Sequence, residues 1–307
     1  MNYGQWLDFA EQMLIQCVEN DPFSAPKTDA GLLLGFVTLK SKAQILAFPE
    51  TELDEKMQEK LTALLYRRSQ GEPMAHILGE TGFWTLDLEV SPHTLIPRPE
   101  TEILVEKALE IATQRLNLAN VAAELKILDL GTGTGAIALA LASELQPLCA
   151  RQGTALTIIG VDYIAQAVEL AKRNAEKNHL THVQFLHSNW FDQLTGLKFD
   201  IIVSNPPYID ENDQHLKQGD VRFEPLSALV AQEEGYSDLK FLILNSPRFL
   251  KSHGWLLLEH GWTQGQKIRS IFAENSWQSI ETIKDYSGNE RVSLGQFRQP
   301  SLSNSGR

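Results

Sequence analysis

The stretch that decides the fold is LKILDLGTGTG, residues 125–135. It begins with the short apolar run of a buried strand, and the glycines that follow allow a tight turn in which the backbone comes close to a ligand. Residues 136–145 then favour a helix. A strand, a glycine-rich turn and a helix in this order predict the first unit of a doubly wound α/β sheet, with a ligand site at the turn.

Downstream of this stretch, predicted strands and helices alternate. The further strand-like runs are residues 155–161, 182–186, 199–203 and 255–259. Residues 164–177 form a second helical segment, and this alternation predicts right-handed crossovers and a mainly parallel sheet. Residues 290–297 are predicted to be a last strand, in a closing hairpin at an edge of the sheet.

The part of the chain before residue 125 shows a different sequence pattern. Residues 1–80 carry apolar side chains at helical spacing and no glycine-rich loop, which predicts a helical domain that either docks a substrate or caps the structure. Residues 81–99 are rich in strand formers and then in proline, which predicts a β-hairpin connector. A helix over about 100–116 is predicted to open the second domain, which extends to residue 300, and residues 301–307 are expected to be a flexible tail.

The composition limits the classes of protein to which this chain can belong. The 307 residues are 43% apolar and 21% charged, which is typical of a globular protein of about two domains. No apolar run reaches the ~20 residues that cross a bilayer, and the N-terminus lacks the basic start and apolar block of a secretion signal. These features predict a cytoplasmic protein. The formal net charge of −12, without any basic block, disfavours a nucleic-acid partner.

The two cysteines, Cys17 and Cys149, predict neither a disulfide nor a metal site. They are far apart in the sequence and have no histidine neighbours at metal-binding spacing. Both are expected to be small buried thiols.

The glycine loop and an acidic residue predict an adenosine-type cofactor. Asp162 ends the second predicted strand, where its carboxylate can accept hydrogen bonds from both ribose hydroxyls. Gly131, Gly133 and Gly135 stand at positions 1, 3 and 5 of the loop, and not at the 1, 3 and 6 of a dinucleotide-binding loop. Asp129 would repel a pyrophosphate but would tolerate a cationic sulfonium with its ammonium group. This favours S-adenosylmethionine over NAD.

Three further residues join the predicted cofactor site. Thr132 and Thr134 lie between the loop glycines. Trp190 follows the third strand, where an aromatic ring either covers the adenine face or serves as an ordinary core residue.

The most specific feature is IIVSNPPY, residues 201–208, at the carboxyl edge of the predicted sheet. Pro206 and Pro207 cannot continue a central strand and fix the backbone in an extended turn. An NH₂ group on a planar carbon needs two acceptors, which the Asn205 side-chain oxygen and a proline carbonyl can supply. Tyr208 would pack its ring against the planar group. The motif therefore indicates a device that presents a planar NH₂ group to a methyl carbon.

This assigns roles to the motif residues. Asn205, Pro206 and Tyr208 are the candidate catalytic residues. Together with Pro207, they are also the candidate substrate-binding residues.

The sequence resembles the peptide-chain release factor glutamine N5-methyltransferases (the PrmC/HemK family) over nearly its whole length. The matching stretches are residues 6–7, 71–73, 95–102, 129–142, 204–209, 259–262 and 289–292. The resemblance implies a helical N-terminal bundle joined by a hairpin to a Rossmann-like class I S-adenosylmethionine-dependent methyltransferase domain with a seven-stranded sheet. It also implies methyl transfer to N5 of the glutamine in the Gly-Gly-Gln motif of class 1 release factors, with S-adenosylhomocysteine as product and an effect on translation termination.

The same resemblance implies that residues 131–135 and Asp162 hold S-adenosylmethionine, with Trp190 beside the adenine. Residues 205–208 would hold the substrate glutamine, and Asn205 would also lie close to the transferable methyl group. The family commonly has aspartate where Asn189 stands, which leaves a polar contact to adenine at that position open.

Three alternatives stay open on the sequence alone. The nearest paralogue methylates a glutamine on a ribosomal large-subunit protein and shares the NPPY motif, although residues 96–102 look like the release-factor branch. A nucleic-acid adenine N6-methyltransferase also acts on a planar NH₂ group but needs base flipping and a basic channel. A non-catalytic module that keeps a nucleotide fold is the third. Residues 210–234 are either a substrate-facing lid or a solvated loop.

Overall fold

The computed structural model describes residues 1–17, 25–117 and 123–298. The expected tail at 301–307 lies outside these residues. The chain divides into two units, one made of Met1–Glu80 with Gln214–Glu224 and the other of residues 81–213 with the described chain from Pro225 onward. Within the described residues, no helix is both long and apolar enough to cross a membrane.

The first unit is helical, as its apolar spacing predicts. Its helices are α1 (Tyr3–Cys17), α2 (Pro26–Thr38), α3 (Lys42–Ala47), α4 (Glu55–Ser69) and α5 (Met74–Leu78). Local signals set the helix starts: a proline opens α2, and Ser41 forms a capping box with Gln44 at α3. Trp6, Leu33 and Leu61 are among the fully covered side chains of its core.

The segment Gln214–Glu224 belongs to this first unit although residues 225 onward do not. The nearly buried Arg68 accounts for part of this grouping. Its guanidinium donates to Asp29 at 2.8 Å and lies 3.7 Å from the Asp220 carboxylate. No pattern in the sequence indicates this link, because Asp220 is far from Arg68 along the chain.

The second unit begins with the hairpin of β1 (Glu80–Phe83) and β2 (Leu86–Glu89). The sequence suggests one strand-like run from Phe83 to Val90, but Trp84 takes a left-handed φ of 57° and makes the turn. A short 3₁₀ turn at Pro99–Thr101 then leads into α6 (Glu102–Leu116).

A seven-stranded sheet forms the centre of this unit. Its strands are β3 (Glu124–Leu130), β4 (Ala155–Asp162), β5 (Gln184–His187), β6 (Phe199–Ser204), β7 (Leu250–Glu259), β8 (Gln278–Lys284) and β9 (Glu290–Gln296). They lie in the order β5-β4-β3-β6-β7-β9-β8, and β9 is antiparallel to both of its neighbours. The mainly parallel, doubly wound sheet that the alternating pattern predicts is confirmed.

One strand of the closing hairpin is missing from the sequence-based view, although the hairpin itself lies at the edge of the sheet as predicted. The last strand, β9, lies inside the sheet between β7 and β8, and the edge strand is β8. The side chains of β8 are exposed or half-buried throughout, so the strand lacks the apolar run or clean alternation that identifies a strand from sequence.

Helices cover both faces of the sheet. The remaining ones are α7 (Ala136–Gln152), α8 (Ala165–Lys177), α9 (Gln232–Gly235), α10 (Ser237–Asn245) and α11 (Gly265–Glu274). Ile127 faces a core shared with α6, α7 and α8, whereas the next residue, Leu128, faces a core shared with α10 and α11. This alternation makes β3 apolar on both faces, as expected of a central parallel strand.

Two further sequence-based expectations need correction. Helix α7 runs past the predicted end at 145 and contains Pro147 in its interior. Cys149 in α7 is buried as expected, but Cys17 is exposed at the end of α1.

Candidate active site

The candidate site lies where the central strands β3 and β6 end side by side. Leu130 pairs with Ser204 in the parallel register, and the Ser204 hydroxyl donates to the Leu130 carbonyl at 2.6 Å. The glycine loop that follows Leu130 and the Asn-Pro-Pro-Tyr turn that follows Ser204 therefore start next to each other. This is the carboxyl edge of the sheet, where doubly wound folds bind ligands.

The glycine loop owes its shape to left-handed backbone and to a buried carboxylate. Gly131 and Gly133 have φ values of 71° and 55°, which side-chain-bearing residues rarely adopt. The carboxylate of Asp129 accepts a hydrogen bond from the Thr132 hydroxyl at 2.6 Å and from the Ala138 amide at 3.3 Å. Asp129 thus ties the loop to the start of α7.

The role of Asp129 differs from the one that the sequence suggests. Burial raises the pKa of its carboxyl to about 7, against the lowering effect of Thr132. It is fully buried and is not among the described residues that line the cavity. Asp129 therefore orders the loop from behind and stands outside the described lining of the cavity.

Asp162 occupies the place that the sequence predicts, at the end of β4. Its Oδ2 accepts from the Gly133 amide at 2.9 Å and its Oδ1 accepts from the Ile164 amide at 2.8 Å. Each carboxylate oxygen has a second lone pair, so Asp162 can still accept from two ligand hydroxyls. Burial raises the pKa of this carboxyl, which reflects how far it is removed from water.

Trp190 lies across the glycine loop. Its ring would meet a Cβ placed on Gly131 at 3.7 Å, and its centroid lies 6.3 Å from that of Phe241 in α10. The ring packs against the core and also lines the cavity, so its position is compatible with an adenine contact as well as with a core role. The neighbouring Asn189 is exposed and is not among the cavity-lining residues.

A cavity joins the two loops. It encloses about 960 Å³ of space, which includes solvent at its open mouth. Its described lining residues are His93, Thr94, Leu95, Pro97, Thr101, Gly131, Thr132, Gly133, Thr134, Ala136, Ile137, Val161, Asp162, Tyr163, Ile164, Ser188, Trp190, Asn205, Pro207, Ser227 and Ala228. Among the predicted site residues, Gly135, Pro206 and Tyr208 are the ones outside this lining.

Gly135 has a different reason to be glycine. It caps α7 with a φ of 85°, and a Cβ there would meet Ala171, Leu139 and Phe185 at 3.2 Å. Its small size serves the packing of the helix against the sheet, which is one of the roles that glycines play in such loops.

The Asn-Pro-Pro-Tyr turn is held from several sides. The Asn205 side-chain amide donates from Nδ2 to the Thr101 hydroxyl at 3.2 Å. The Tyr208 hydroxyl donates to Glu259 Oε1 at 3.2 Å, and the Tyr208 amide donates to the Leu229 carbonyl at 3.2 Å. The turn is therefore fixed in place by elements distant in sequence, so it can present its acceptors without reorganisation.

Sequence reasoning missed several residues that support the turn. Gln264 at the start of α11 donates from Nε2 to the Tyr208 carbonyl at 3.0 Å. Ser227 and Ala228, in the segment predicted to be either a lid or a loop, line the cavity. Thr101 stands in the proline-rich stretch 95–102 that carries part of the resemblance, but nothing in that stretch alone indicates a partner for it.

The residues that line the cavity fit S-adenosylmethionine. Asp162 offers a carboxylate that can accept from ribose hydroxyls, and Trp190 offers an aromatic ring for an adenine face. The 131–133 loop has two left-handed glycines that allow the backbone to come close to a ligand. The described residues contain no group of three side chains that could hold a metal ion. The fold and this site define a class I S-adenosylmethionine-dependent methyltransferase.

The comparisons with known proteins narrow the class. Residues 105–294 match the family model of a methyltransferase domain, and residues 5–79 match that of the PrmC N-terminal domain. A release factor glutamine methyltransferase of Pasteurella multocida is 61% identical over 97% of this chain and 100% of its own length. The release factor glutamine methyltransferase of Escherichia coli is 49% identical over 97% of this chain and 100% of its own length. The chain belongs to the family of release factor glutamine methyltransferases.

Solved structures agree on the fold. A 16S rRNA methyltransferase of T. thermophilus, in complex with AdoMet and guanosine, aligns with a TM-score of 0.51 at 21% identity. The alignment covers 71% of this chain and 50% of that one. At this identity the likeness concerns the architecture alone.

Replacing Asp162 by alanine is expected to weaken S-adenosylmethionine binding by about 10- to 100-fold, because two hydrogen bonds to a charged acceptor are lost. Isothermal titration calorimetry of the cofactor measures this directly. Asp192→Ala, which removes an exposed carboxylate outside the described cavity lining, is the matched control and should bind normally. Unchanged affinity in Asp162→Ala would exclude the ribose contact.

Proposed function

We propose that this chain transfers a methyl group from S-adenosylmethionine to the side-chain amide nitrogen of the glutamine in the Gly-Gly-Gln motif of class 1 release factors. The observation that carries the proposal is the cavity in which Asn205 and Pro207 stand beside the glycine loop, Asp162 and Trp190. Membership of the family supports the choice of substrate. Since release factors act on cytoplasmic ribosomes, we infer a cytoplasmic location.

The residues of the Asn-Pro-Pro-Tyr motif act mainly by positioning the substrate amide. The Asn205 side-chain oxygen and a carbonyl of the Pro206–Pro207 pair would accept the two N–H bonds of the substrate amide. Both N–H bonds are then fixed in direction, and the lone pair of the nitrogen faces the methyl donor. The Tyr208 ring would pack against the planar amide, and its hydroxyl donates to Glu259.

Bound S-adenosylmethionine supplies a methyl group on a positively charged sulfur that leaves as a neutral thioether. Asn205 and a proline carbonyl would hold the amide nitrogen ready to accept this methyl group, and such near-attack positioning typically contributes several kcal/mol. The methylated nitrogen is strongly acidic and loses its proton without a dedicated base. This fits a site whose cavity-facing motif offers acceptors and no basic side chain.

The deciding experiment measures transfer of labelled methyl groups from S-adenosylmethionine to purified class 1 release factor. Ribosomal large-subunit proteins, DNA and rRNA are offered in parallel. Transfer to release factor glutamine alone supports the proposal, and transfer to a ribosomal protein glutamine identifies the paralogous activity instead. Transfer only to nucleic acid would contradict it, as would binding of the cofactor without any turnover.

We also infer that residues 1–80 dock the release factor, that 81–99 connect the two functions, and that 100–300 carry the methyltransferase. The first unit leaves large apolar side chains in water around α3. Leu39, Leu46 and Phe48 are 88%, 64% and 58% exposed. Since Gln214–Glu224 is part of the same unit, this segment would share in the docking.

Replacing the exposed Phe48 by serine is expected to raise KM for the release factor by about 10-fold, since one buried aromatic contact is typically worth about 1 kcal/mol or more. The turnover number and the affinity for S-adenosylmethionine should stay unchanged. Steady-state kinetics with varied release factor measure the effect. Glu50→Ser at an exposed neighbour is the control, and equal KM values for the two variants would exclude docking through Phe48.

A further inference from the structure

A buried asparagine of α8 joins the glycine loop to the hairpin. Asn174 is fully buried and is not among the described lining residues of the cavity. Its Nδ2 donates to the Thr134 carbonyl of the loop at 2.9 Å and to the Glu89 carbonyl at the end of β2 at 3.0 Å. Its Oδ1 accepts from the Glu89 amide at 2.7 Å. One side-chain amide therefore bonds to two segments that are far apart along the chain.

The direction of the Asn174 amide follows from its partners. A backbone carbonyl can only accept and a backbone amide can only donate, so the NH₂ end of Asn174 must face the Thr134 and Glu89 carbonyls. Both N–H bonds and one lone pair of the side chain are used in this way. Because the side chain is buried, water cannot take over these bonds if the asparagine is removed.

Both partners of Asn174 lead to the cavity wall. Thr134 is itself a lining residue. On the other side, the chain leaves β2 at Glu89 and reaches the cavity at residues 93–95, which also line it. A turn ties this stretch together, since the Thr94 amide and hydroxyl donate to the Ser91 carbonyl at 3.2 and 3.3 Å. A displacement of Glu89 would therefore be passed on to residues 93–95.

The other side chains that anchor the glycine loop act as acceptors. Asp129 accepts from a threonine hydroxyl of the loop, and Asp162 accepts from a glycine amide. The Thr134 carbonyl needs a donor instead, and Asn174 supplies it. The role of Asn174 in the loop thus differs from that of the two carboxylates.

A second asparagine, one turn further along α8, makes a comparable set of bonds that does not include the loop. Asn178 Nδ2 donates to the Asp87 carbonyl at 3.0 Å and to the Asn174 carbonyl at 2.9 Å. Its Oδ1 accepts from the Asp87 amide at 3.3 Å. Each asparagine therefore makes three hydrogen bonds and binds one residue of β2, but the bond to Thr134 belongs to Asn174.

We propose that Asn174 is a positioning residue for S-adenosylmethionine, which sets the distance between the glycine loop and residues 93–95. The inference rests on the part of the proposed function that places the cofactor in this cavity. Without the side-chain amide, the Thr134 carbonyl loses its donor and the loop is no longer tied to Glu89. Binding of the cofactor must then also restore the arrangement of both segments, and this cost lowers the affinity.

The experiment compares Asn174→Ala with Asn178→Ala by isothermal titration calorimetry of S-adenosylmethionine. Alanine is favourable in a helix, and each variant loses three hydrogen bonds, so both are expected to be less stable than the unaltered protein. Asn174→Ala is expected to raise the Kd by about 10-fold, whereas Asn178→Ala should stay within about 2-fold. Denaturant unfolding with and without the cofactor is the second readout. The stabilisation by a fixed cofactor concentration should shrink in Asn174→Ala and stay normal in Asn178→Ala.

A second pair of variants separates the donor from the acceptor end of the amide. Asn174→Asp keeps the shape and the acceptor for the Glu89 amide but has no NH₂ group, and it should raise the Kd by about 10-fold or more. Asn178→Asp is its control, and this pair carries the test if Asn174→Ala does not fold. Equal Kd values within either pair would overturn the proposal, as would normal affinity in Asn174→Asp.

The proposed function fails separately from this inference. If the unaltered protein bound S-adenosylmethionine but did not methylate release factor, the proposed substrate would be wrong. A selective loss of cofactor affinity in the Asn174 variants would still support the positioning role. If the unaltered protein did not bind S-adenosylmethionine, both would be overturned.

Discussion

Replacing Asn205 by alanine is expected to lower kcat by roughly 100- to 1000-fold, the size typical of removing one preorganised hydrogen-bonding group from a reaction centre. The side-chain oxygen of Asn205 is the proposed acceptor that holds one N–H bond of the substrate amide. Without it the nitrogen can turn, and its lone pair is no longer held in line with the methyl donor. Single-turnover methyl transfer at saturating substrate isolates this step from binding.

The affinity for S-adenosylmethionine should be largely preserved in Asn205→Ala. The main cofactor contacts proposed above come from Asp162, Trp190 and the 131–133 loop, which the substitution leaves in place. Asn275→Ala removes an exposed asparagine and is the matched control. A normal rate in Asn205→Ala would refute the proposed grip on the amide. Loss of cofactor binding together with turnover would instead assign Asn205 mainly to the cofactor.

The sequence was most informative where function depends on neighbours along the chain. The 125–135 loop and the 205–208 turn each contain their own signal, because glycine and proline restrict or release φ at defined places. Each also follows directly on an apolar strand run, so its position at the carboxyl edge of the sheet could be predicted. These two motifs and Asp162 therefore account for seven of the 21 described lining residues of the cavity.

The support behind the motifs could not be predicted in the same way. Thr101 reaches Asn205, and Gln264 reaches Tyr208, across long stretches of sequence. Such contacts follow from the packing of strand ends and helix starts, for which a single sequence contains no local pattern. For Asp129 the position in the motif is evident from the sequence, but its burial behind the loop is not.

One strand of the closing hairpin escapes sequence-based prediction for a physical reason. Strand β8 is exposed or half-buried along its whole length, so its composition shows neither a buried run nor clean alternation. Strand β9, in contrast, is buried at Val292 and Leu294 and was identified. The predicted hairpin at the edge of the sheet is therefore confirmed, but its outer strand, β8, follows only from the structure.

Replacing Gly235 by alanine is expected to disrupt the same turn from a residue that lies outside every recognised motif. Gly235 has a φ of 84°, and a Cβ there would overlap the Tyr208 carbonyl oxygen and lie 3.0 Å from Gln264 Nε2. The Tyr208 backbone cannot yield freely, because the Tyr208 and Ile209 amides are bonded to the Leu229 carbonyl. The clash should displace Tyr208 and with it the acceptors of the turn.

The free energy of unfolding is expected to fall by about 2 to 4 kcal/mol, from the left-handed backbone and overpacking together. Turnover should also fall, by roughly an order of magnitude or more, because the displaced turn no longer aligns the substrate amide. Gly196→Ala isolates the clash, because Gly196 has a similar φ of 81° but nothing within 4 Å of a Cβ. Both variants should therefore share the cost of the backbone conformation, and Gly235→Ala alone should lose turnover at temperatures where it remains folded.

Denaturant unfolding and methyl transfer on the same samples separate the effect on stability from the effect on the turn. If Gly235→Ala lost stability but kept the turnover of Gly196→Ala, the turn would have absorbed the displacement. The grip on the amide would then not depend on the position of the Tyr208 carbonyl, and the acceptors would have to be held by the Asn205 end of the turn, where Thr101 bonds to the side-chain amide.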